Sequence, residues 1–225
     1  MGIVAAWLVH LYTGSSAIFG LWAIVAAIQL EFRLAIYLML LTLVIDSTDG
    51  ALARLVDVRR RIPWFDGRRL DDICDYFTYV LVPAIFLIQA DLLPHPAWVA
   101  VPVLASAYGF SRDDAKTEDH FFLGFPSYWN VVAIYLYLFE VDASLALWIV
   151  LGFSAAVFVP LKYVYPSRTR ALRPLSVSVV FVWICSFSWI AVRADPDPFW
   201  VRVTLFGPAY YVGASLFLNL RPPSP

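Results

Sequence analysis

The fold is decided by residues 45–76, IDSTDGALARLVDVRRRIPWFDGRRLDDICDY, which set four aspartates into two segments with the character of membrane helices. These aspartates are Asp46, Asp49, Asp71 and Asp75. One unpartnered charge near a bilayer centre costs roughly 2.5–3.5 kcal/mol on insertion scales, so four would offset much of the insertion energy of a helix pair. We therefore expect cations to compensate these carboxylates.

The whole chain has the composition of an integral membrane protein. Of its 225 residues, 61% are hydrophobic and 15% are charged, and the mean hydropathy is +0.74. Soluble domains are about half apolar and a quarter charged. A net charge of -1 says little about partners, and we expect no nucleic acid among them. Both cysteines, Cys74 and Cys185, lie in apolar runs and are predicted core residues rather than a disulfide or zinc site.

Apolar runs predict an all-α, polytopic helical bundle with eight transmembrane helices, which we treat as one domain over residues 1–225. Residues 3–13 and 14–30 together are too long for one crossing. We therefore expect 3–13 to form an N-terminal helix at the membrane interface, anchored by Trp7 and Tyr12. No basic residue precedes this run, so no secretory signal is expected. The predicted spans are 14–30, 34–56, 70–90, 96–112, 126–140, 143–163, 172–193 and 199–219.

The distribution of Lys and Arg predicts the orientation, because basic loops stay in the cytoplasm. All but three of the 16 basic residues fall on one side of the predicted topology. The exceptions are Arg33, Arg193 and Arg202. The majority side carries Arg54, Arg59, Arg60, Arg61, Arg68, Arg69, Arg112, Lys116, Lys162, Arg168, Arg170, Arg173 and Arg221. Both termini and the acidic stretch are therefore expected to face the cytoplasm.

Helical geometry places the acidic residues on two faces that can meet. At 100° per residue, the residues of the second span that share an arc of about 140° are Asp46, Asp49, Gly50, Ala53 and Arg54. Gly67, Asp71 and Asp75 share a narrow face of the third span. Hard oxygen ligands predict magnesium, manganese or calcium rather than zinc, and two bridged metals suit phosphoryl transfer.

Single features of this stretch have simpler explanations. Gly50 and Ala53 could admit a ligand or only allow helix packing. Arg54 can bind a phosphate through its forked guanidinium, whereas the arginines at 59–61 are explained by topology. A lone intramembrane aspartate could serve a proton or ion path, but four in this order with Gly, Ala and Arg favour a catalytic site.

The pattern Asp46-x2-Asp49-Gly50-x2-Ala53-Arg54, followed by Gly67-x3-Asp71-x3-Asp75, resembles the signature of the CDP-alcohol phosphotransferases, membrane enzymes of phospholipid synthesis. All eight defining positions are present. Twelve residues separate Arg54 from Gly67, where the common form has about eight. This spacing resembles the bacterial branch that makes phosphatidylcholine, as do the stretches DAKTEDHFFLGFPSYWN (114–130) and KYVYPSRT (162–169).

The resemblance implies that CDP-diacylglycerol and choline react to give phosphatidylcholine and CMP. It implies two divalent ions, Mn2+ or Mg2+, with Asp46, Asp49 and Asp71 as ligands, and Asp75 as both ligand and general base. The implied CDP contacts are Asp49, Gly50, Ala53, Arg54, Gly67 and Asp71. Asp72 is adjacent to the motif without belonging to it.

A quaternary ammonium is bound by aromatic faces and acidic groups. The candidates for choline binding are Tyr76, Tyr79, Glu118, Asp119, Tyr128, Trp129 and Asn130. Most aromatic residues of a chain that is 17% aromatic serve packing or the membrane interface. His10 and Thr13, at the end of the expected interfacial helix, could cover the site. Lys116 could contact a phosphate.

Three further expectations complete the prediction. Another acceptor, such as serine, inositol or glycerol phosphate, is the alternative within the family. A cation transporter that uses the aspartates as a midplane site is the alternative of another class, although no discontinuous-helix repeat is visible. The resemblance also implies a location in the bacterial inner membrane, contact with membrane lipid, and a possible homodimer.

Overall fold

The computed structural model describes residues 2–193 and 195–220, which are predominantly helical. Arg221, which was included in the orientation argument, lies outside this range. Short strands β1 (Phe121–Leu123) and β2 (Lys162–Val164) form an antiparallel pair. A π-helical turn (Phe77–Leu81) joins α4 to α5, and 3-10 turns precede α6 and α9. The helices are α1 Gly2–Ile28, α2 Phe32–Val56, α3 Val58–Arg61, α4 Gly67–Tyr76, α5 Val82–Gln89, α6 Ala100–Ser111, α7 Trp129–Leu138, α8 Ala143–Ala156, α9 Arg173–Ala191, α10 Pro198–Val203 and α11 Phe206–Asn219.

Four helical segments in the described part of the chain are long and apolar enough to cross a membrane. They are α1, α2, α9 and the segment 198–219 that contains α10 and α11. Helices α7 and α8 are apolar but shorter. The prediction of a helical membrane protein is therefore confirmed. The number of predicted crossings, eight, is larger than the number of described helical segments that are both long and apolar enough to cross.

The predicted break between an interfacial helix at 3–13 and a span at 14–30 is wrong. Helix α1 runs without interruption from Gly2 to Ile28. One face of its first half packs inside the molecule, where Ala6 and Val9 form a small buried cluster with Val58 and Ile62. The other face, with Val4 and Leu11, remains exposed.

Two other expectations need correction. The sixth predicted span, 143–163, ends as a helix at Ala156, and the chain then turns to form β2. Gly124 permits this turn to pack: its φ is +84°, and a Cβ there would overlap the carbonyl oxygen of Val157. Cys74 is buried as predicted, but Cys185 is exposed, because much of α9 faces outward.

Two loops pack together at the end of the bundle that carries the acidic stretch. We call residues 112–128 and 161–169 the two-loop cap. Strands β1 and β2 join the loops, and Thr169 donates a hydrogen bond to the carbonyl of His120 (2.6 Å). Helix α11 supports β2, since the Asn219 side chain bonds both backbone groups of Lys162 and the Ser215 hydroxyl accepts from the Val164 amide. The predicted cytoplasmic connections therefore meet at one end.

Candidate active site

Helices α2 and α4 position the four aspartates. Asp46 and Asp49 lie one turn apart near the end of α2. Helix α4 begins at Gly67 because the Asp66 carboxylate accepts hydrogen bonds from the backbone amides of residues 68 and 69, both at 3.1 Å. This N-cap fixes the start of the helix and therefore the face on which Asp71 and Asp75 lie.

The structure brings three of these carboxylates together. One oxygen atom from each of Asp46, Asp49 and Asp71 lies within 4.8 Å of the others. Asp75 is close enough for its carboxyl group to interact with those of Asp46 and Asp71. Asp49 is buried and the other three are half-buried. Like charges at this separation repel each other strongly away from bulk water.

Neutral donors orient two of the carboxylates. The Thr13 hydroxyl donates to Asp49 Oδ2 at 2.8 Å, and the Tyr79 hydroxyl donates to Asp46 Oδ2 at 2.6 Å. None of the ion pairs within residues 2–193 and 195–220 involves Asp46, Asp49 or Asp71. The cluster offers several hard oxygen donors close together, so its residues fit a divalent ion such as Mg2+ or Mn2+.

Lys116 extends from the two-loop cap toward this cluster. Its ammonium pairs with Asp72 at 3.2 Å and interacts with Asp71 and Asp75. Burial works against the charged form, but Asp72 and the other nearby anionic groups outweigh it and raise the pKa of Lys116. Lys116 therefore stays cationic at neutral pH beside the aspartates. Asp72, which is outside the motif, serves as its partner.

Arg54 lies at the end of α2 in a strongly basic environment. Its guanidinium is close enough to interact with Arg168 and Arg173, and also with Asp49. In the described part of the chain, none of these three arginines forms an ion pair. Such a group is suited to a phosphate-bearing ligand, because guanidinium forks bind phosphate oxygens in pairs.

The small residues of the motif have visible packing roles. Ala53 packs against the cluster formed by α1 and α3. At Gly67, a Cβ would lie 2.6 Å from His10 Cε1, so a larger residue would collide with the imidazole. His10 is buried between Trp7 and Phe65, with ring centroids 5.8 and 4.5 Å away. The first half of α1 thus covers the start of α4.

The predicted choline residues are dispersed in the structure. Only Tyr79 and Tyr128 contact or interact with the aspartates. Trp129 is a core residue, 1% exposed, whose indole donates to the Ser106 hydroxyl at 2.8 Å. Tyr76 donates instead to the Val103 carbonyl at 3.1 Å.

The polar candidates also face other partners or solvent. Asp119 is paired with Lys162 at 2.6 Å, and Glu118 is exposed on the same loop. Asn130 is buried, and its side-chain oxygen accepts from the amide of the next residue. The structure therefore does not gather these residues beside the aspartates.

Two tyrosines near the cluster were absent from the sequence-based set. Tyr165 interacts with Asp46 and Asp71, and Tyr211 contacts the Tyr128 ring, with centroids 5.7 Å apart. A signal for Tyr211 existed in the sequence: Tyr211, Ser215 and Asn219 form an i, i+4, i+8 polar stripe on the apolar helix α11. This stripe faces β2 and the two-loop cap.

Taken together, the fold and site define a helical membrane protein with an aspartate cluster that can hold a divalent metal. A family model for the CDP-alcohol phosphatidyltransferases matches residues 7–161. The chain belongs to this family and is therefore a transferase.

Relatives match almost the whole chain. A phosphatidylcholine synthase from Legionella pneumophila is 39% identical, over 96% of this chain and 87% of the relative. A phosphatidylcholine synthase from Legionella bozemanae is 42% identical, over 90% of this chain and 97% of the relative. The one from Borreliella burgdorferi is 36% identical, over 98% and 97% respectively. Family membership favours the enzyme over the transporter alternative.

Proposed function

We propose that this enzyme transfers the phosphatidyl group of CDP-diacylglycerol to choline, giving phosphatidylcholine and CMP. The observation that carries the proposal is the aspartate cluster, in which three carboxylates from two helices lie within 4.8 Å. The names of the relatives favour choline over serine, inositol or glycerol phosphate as the acceptor. The proposed catalytic domain comprises the whole chain, residues 1–225.

In this proposal, Asp46, Asp49, Asp71 and Asp75 hold two divalent ions, Mg2+ or Mn2+. Bound there, the ions neutralise charge on the phosphates and on the leaving group. Thr13 and Tyr79 hold the carboxylates in position through their hydroxyl groups. The protein thus supplies a rigid ligand set rather than isolated charges.

The chain's own residues carry the remaining steps. Asp75 accepts the proton of the choline hydroxyl group. At the same time, the hydroxyl oxygen of choline forms a bond to the phosphorus that carries diacylglycerol. The bond from that phosphorus to the CMP oxygen breaks, and CMP leaves. Arg54 binds the pyrophosphate, with the nearby basic groups of Arg168 and Arg173 adding to the attraction. Gly50, Ala53 and Gly67 allow the nucleotide to approach the backbone, with Asp49 and Asp71 beside it.

The proposed topology places this end of the molecule in the cytoplasm of a bacterial cell, in its inner membrane. The basic loops that meet there support this orientation. In this topology the shorter helices complete eight crossings, with both termini on the cytoplasmic side. A homodimer is implied by the resemblance and is testable by cross-linking in native membranes.

The reaction is tested in membranes that contain the expressed protein, CDP-diacylglycerol, Mg2+ or Mn2+ and labelled choline. We expect equal amounts of phosphatidylcholine and CMP, and no product with excess EDTA. Asp75→Asn should lower the rate on the order of a hundredfold or more, because it removes the base. The control is Asp113→Asn, on an exposed loop. Product formation from serine, inositol or glycerol phosphate but not from choline would reject the proposed acceptor.

A further inference from the structure

A row of tyrosines begins at the aspartate cluster. Tyr79 donates its hydroxyl to Asp46, and its ring centroid lies 5.7 Å from that of Tyr128. The Tyr128 ring meets the Tyr211 ring edge-on, again at 5.7 Å. These residues come from the π-helical turn, the two-loop cap and α11, so three separate segments build one aromatic surface beside the carboxylates.

Tyr165 contributes from the second loop of the cap. It interacts with Lys116 and Arg168 as well as with the carboxylates of Asp46 and Asp71, and also with Tyr128. Its ring stacks on Phe122 at 4.5 Å, so β1 fixes its position. The cap therefore contributes both Tyr128 and Tyr165 to the surroundings of the aspartates.

Packing alone does not explain why these rings are tyrosines. Phenylalanine would fill the same space without burying a hydroxyl group near carboxylates, which costs free energy unless the hydroxyl is well bonded. The Tyr211 hydroxyl is buried beside that of Tyr128 but forms no hydrogen bond of good geometry among the described residues. Electron-rich phenol rings do, however, offer good faces to a cation.

The acceptor's chemistry matches this surface. A trimethylammonium group has no N–H to donate, so aromatic faces and nearby negative charge are what bind it. In choline only two carbon atoms separate the nitrogen from the hydroxyl group. A site whose base reaches the hydroxyl must therefore hold the ammonium group within a few ångströms of the same carboxylates.

We propose that Tyr128, Tyr165 and Tyr211, next to the Tyr79–Asp46 pair, form the pocket that binds the quaternary ammonium group of the acceptor and selects it over smaller amines. This inference rests on the proposed function and deepens it. It moves acceptor recognition away from Trp129, Tyr76 and Asp119, whose side chains already have other partners.

The test compares Tyr128→Leu, which removes the ring, with Tyr128→Phe, which keeps it. We expect Tyr128→Leu to raise the KM for choline about tenfold, and Tyr128→Phe to change it much less, because the ring face provides the attraction. Tyr211→Leu should act in the same direction. The KM for CDP-diacylglycerol, measured at saturating choline, should not change in any of them, which also shows that the variants are folded.

A neutral acceptor of the same shape, 3,3-dimethyl-1-butanol, separates charge recognition from fit. The parent should prefer choline to this alcohol in kcat/KM, and Tyr128→Leu should lose most of that preference. Tyr37→Leu is the matched control, since Tyr37 is 53% exposed on the other half of α2. If the KM for choline were unchanged in both Tyr128→Leu and Tyr211→Leu while the parent still formed phosphatidylcholine, the proposed pocket alone would be overturned. Absence of phosphatidylcholine from the parent reaction would overturn the proposed function and the pocket together.

Discussion

The helix pair α2–α4 and the two-loop cap contribute to one site by different means. The helix pair brings four carboxyl groups together, and the hydroxyls of Tyr79 and Thr13 donate hydrogen bonds to Asp46 and Asp49. Within the cap, Lys162 pairs with Asp119 and Arg112 with Asp114, and Lys116 reaches from the cap to Asp72 on α4. The clustered carboxylates mark the part of the site that can bind a metal ion, and the Lys162–Asp119 pair joins the two loops of the cap.

The difference predicts a ranking of mutational effects. Changes to the charge of the helix pair should alter chemistry greatly and folding little, because repulsion between carboxylates does not stabilise the fold. Changes to exposed pairs of the cap should alter both slightly, because solvent screens them.

The largest effect is expected for Asp49→Asn. The amide oxygen can still accept the Thr13 hydrogen bond, but the charge is lost, so activity should fall on the order of a thousandfold. The metal-free protein should melt at the same or a higher temperature, since one repelling charge has been removed. Measurements are the rate of CMP release and the melting temperature with and without Mn2+.

Thr13→Val is the companion variant, because it keeps the charge and removes only the donor at 2.8 Å. Loss of an orienting partner of a metal ligand costs about 10- to 100-fold in metal affinity or activity. A Thr13→Val variant as inactive as Asp49→Asn would show that orientation, not charge, dominates at this position.

An intermediate effect is expected for Gly67→Ala. The new methyl group would lie 2.6 Å from His10 Cε1, so overpacking should destabilise the protein by about 1–3 kcal/mol. If this collision is the main reason for glycine, adding His10→Ala should restore stability and much of the activity. Thermal unfolding and CMP release are measured for the single and double variants.

The outcome also separates two explanations for Gly67. Recovery of stability without recovery of activity would indicate that the nucleotide itself needs the space. His10→Ala alone serves as the control, because it opens space without adding a clash.

The smallest effect is expected for Asp119→Asn, which removes the pair with Lys162 at 2.6 Å. Both side chains are exposed, 42% for Lys162 and 53% for Asp119, so stability should fall by less than about 1 kcal/mol. Burial opposes ionisation of Asp119, but Lys162 and Thr117 outweigh it and lower the pKa of Asp119. The small contribution is therefore present at neutral pH and is lost as the pH falls below about 4.

The matching functional measurement is the KM for choline, which should not change in Asp119→Asn. A clear rise in the KM for choline would indicate that Asp119 contributes to choline binding, and would weaken the contrast between helix pair and cap. Lys162→Met tests the same pair from its other side.

Sequence reasoning worked best where a single helix face carries the information. Asp46 and Asp49, and likewise Asp71 and Asp75, are related by local spacing, so their convergence needed only that α2 and α4 be neighbours. It failed for α1, because the contact of Ala6 with Val58 is long-range and leaves no local signal.

The cap was beyond prediction for a related reason. Its strands are three residues each and are held by distant side chains, such as Asn219 on α11. Tyr76 and Tyr79 were predicted by their proximity to Asp75 in sequence, and Tyr128 and Trp129 by their place at the predicted cytoplasmic start of the fifth span. Tyr165 and Tyr211 reach the site only through this tertiary arrangement.

The π-helical turn at Phe77–Leu81 changes the direction in which side chains point along the helical segment formed by α4 and α5. An α-helix advances 100° per residue, so one additional residue in a wide turn offsets α5 from α4 by about that angle. If the same residues formed an ordinary α-helical turn, the buried side chains of α5, such as Phe86, would rotate away from their neighbours. The wide turn therefore lets Asp75 face the site and Phe86 face the core of the bundle from one continuous helical segment.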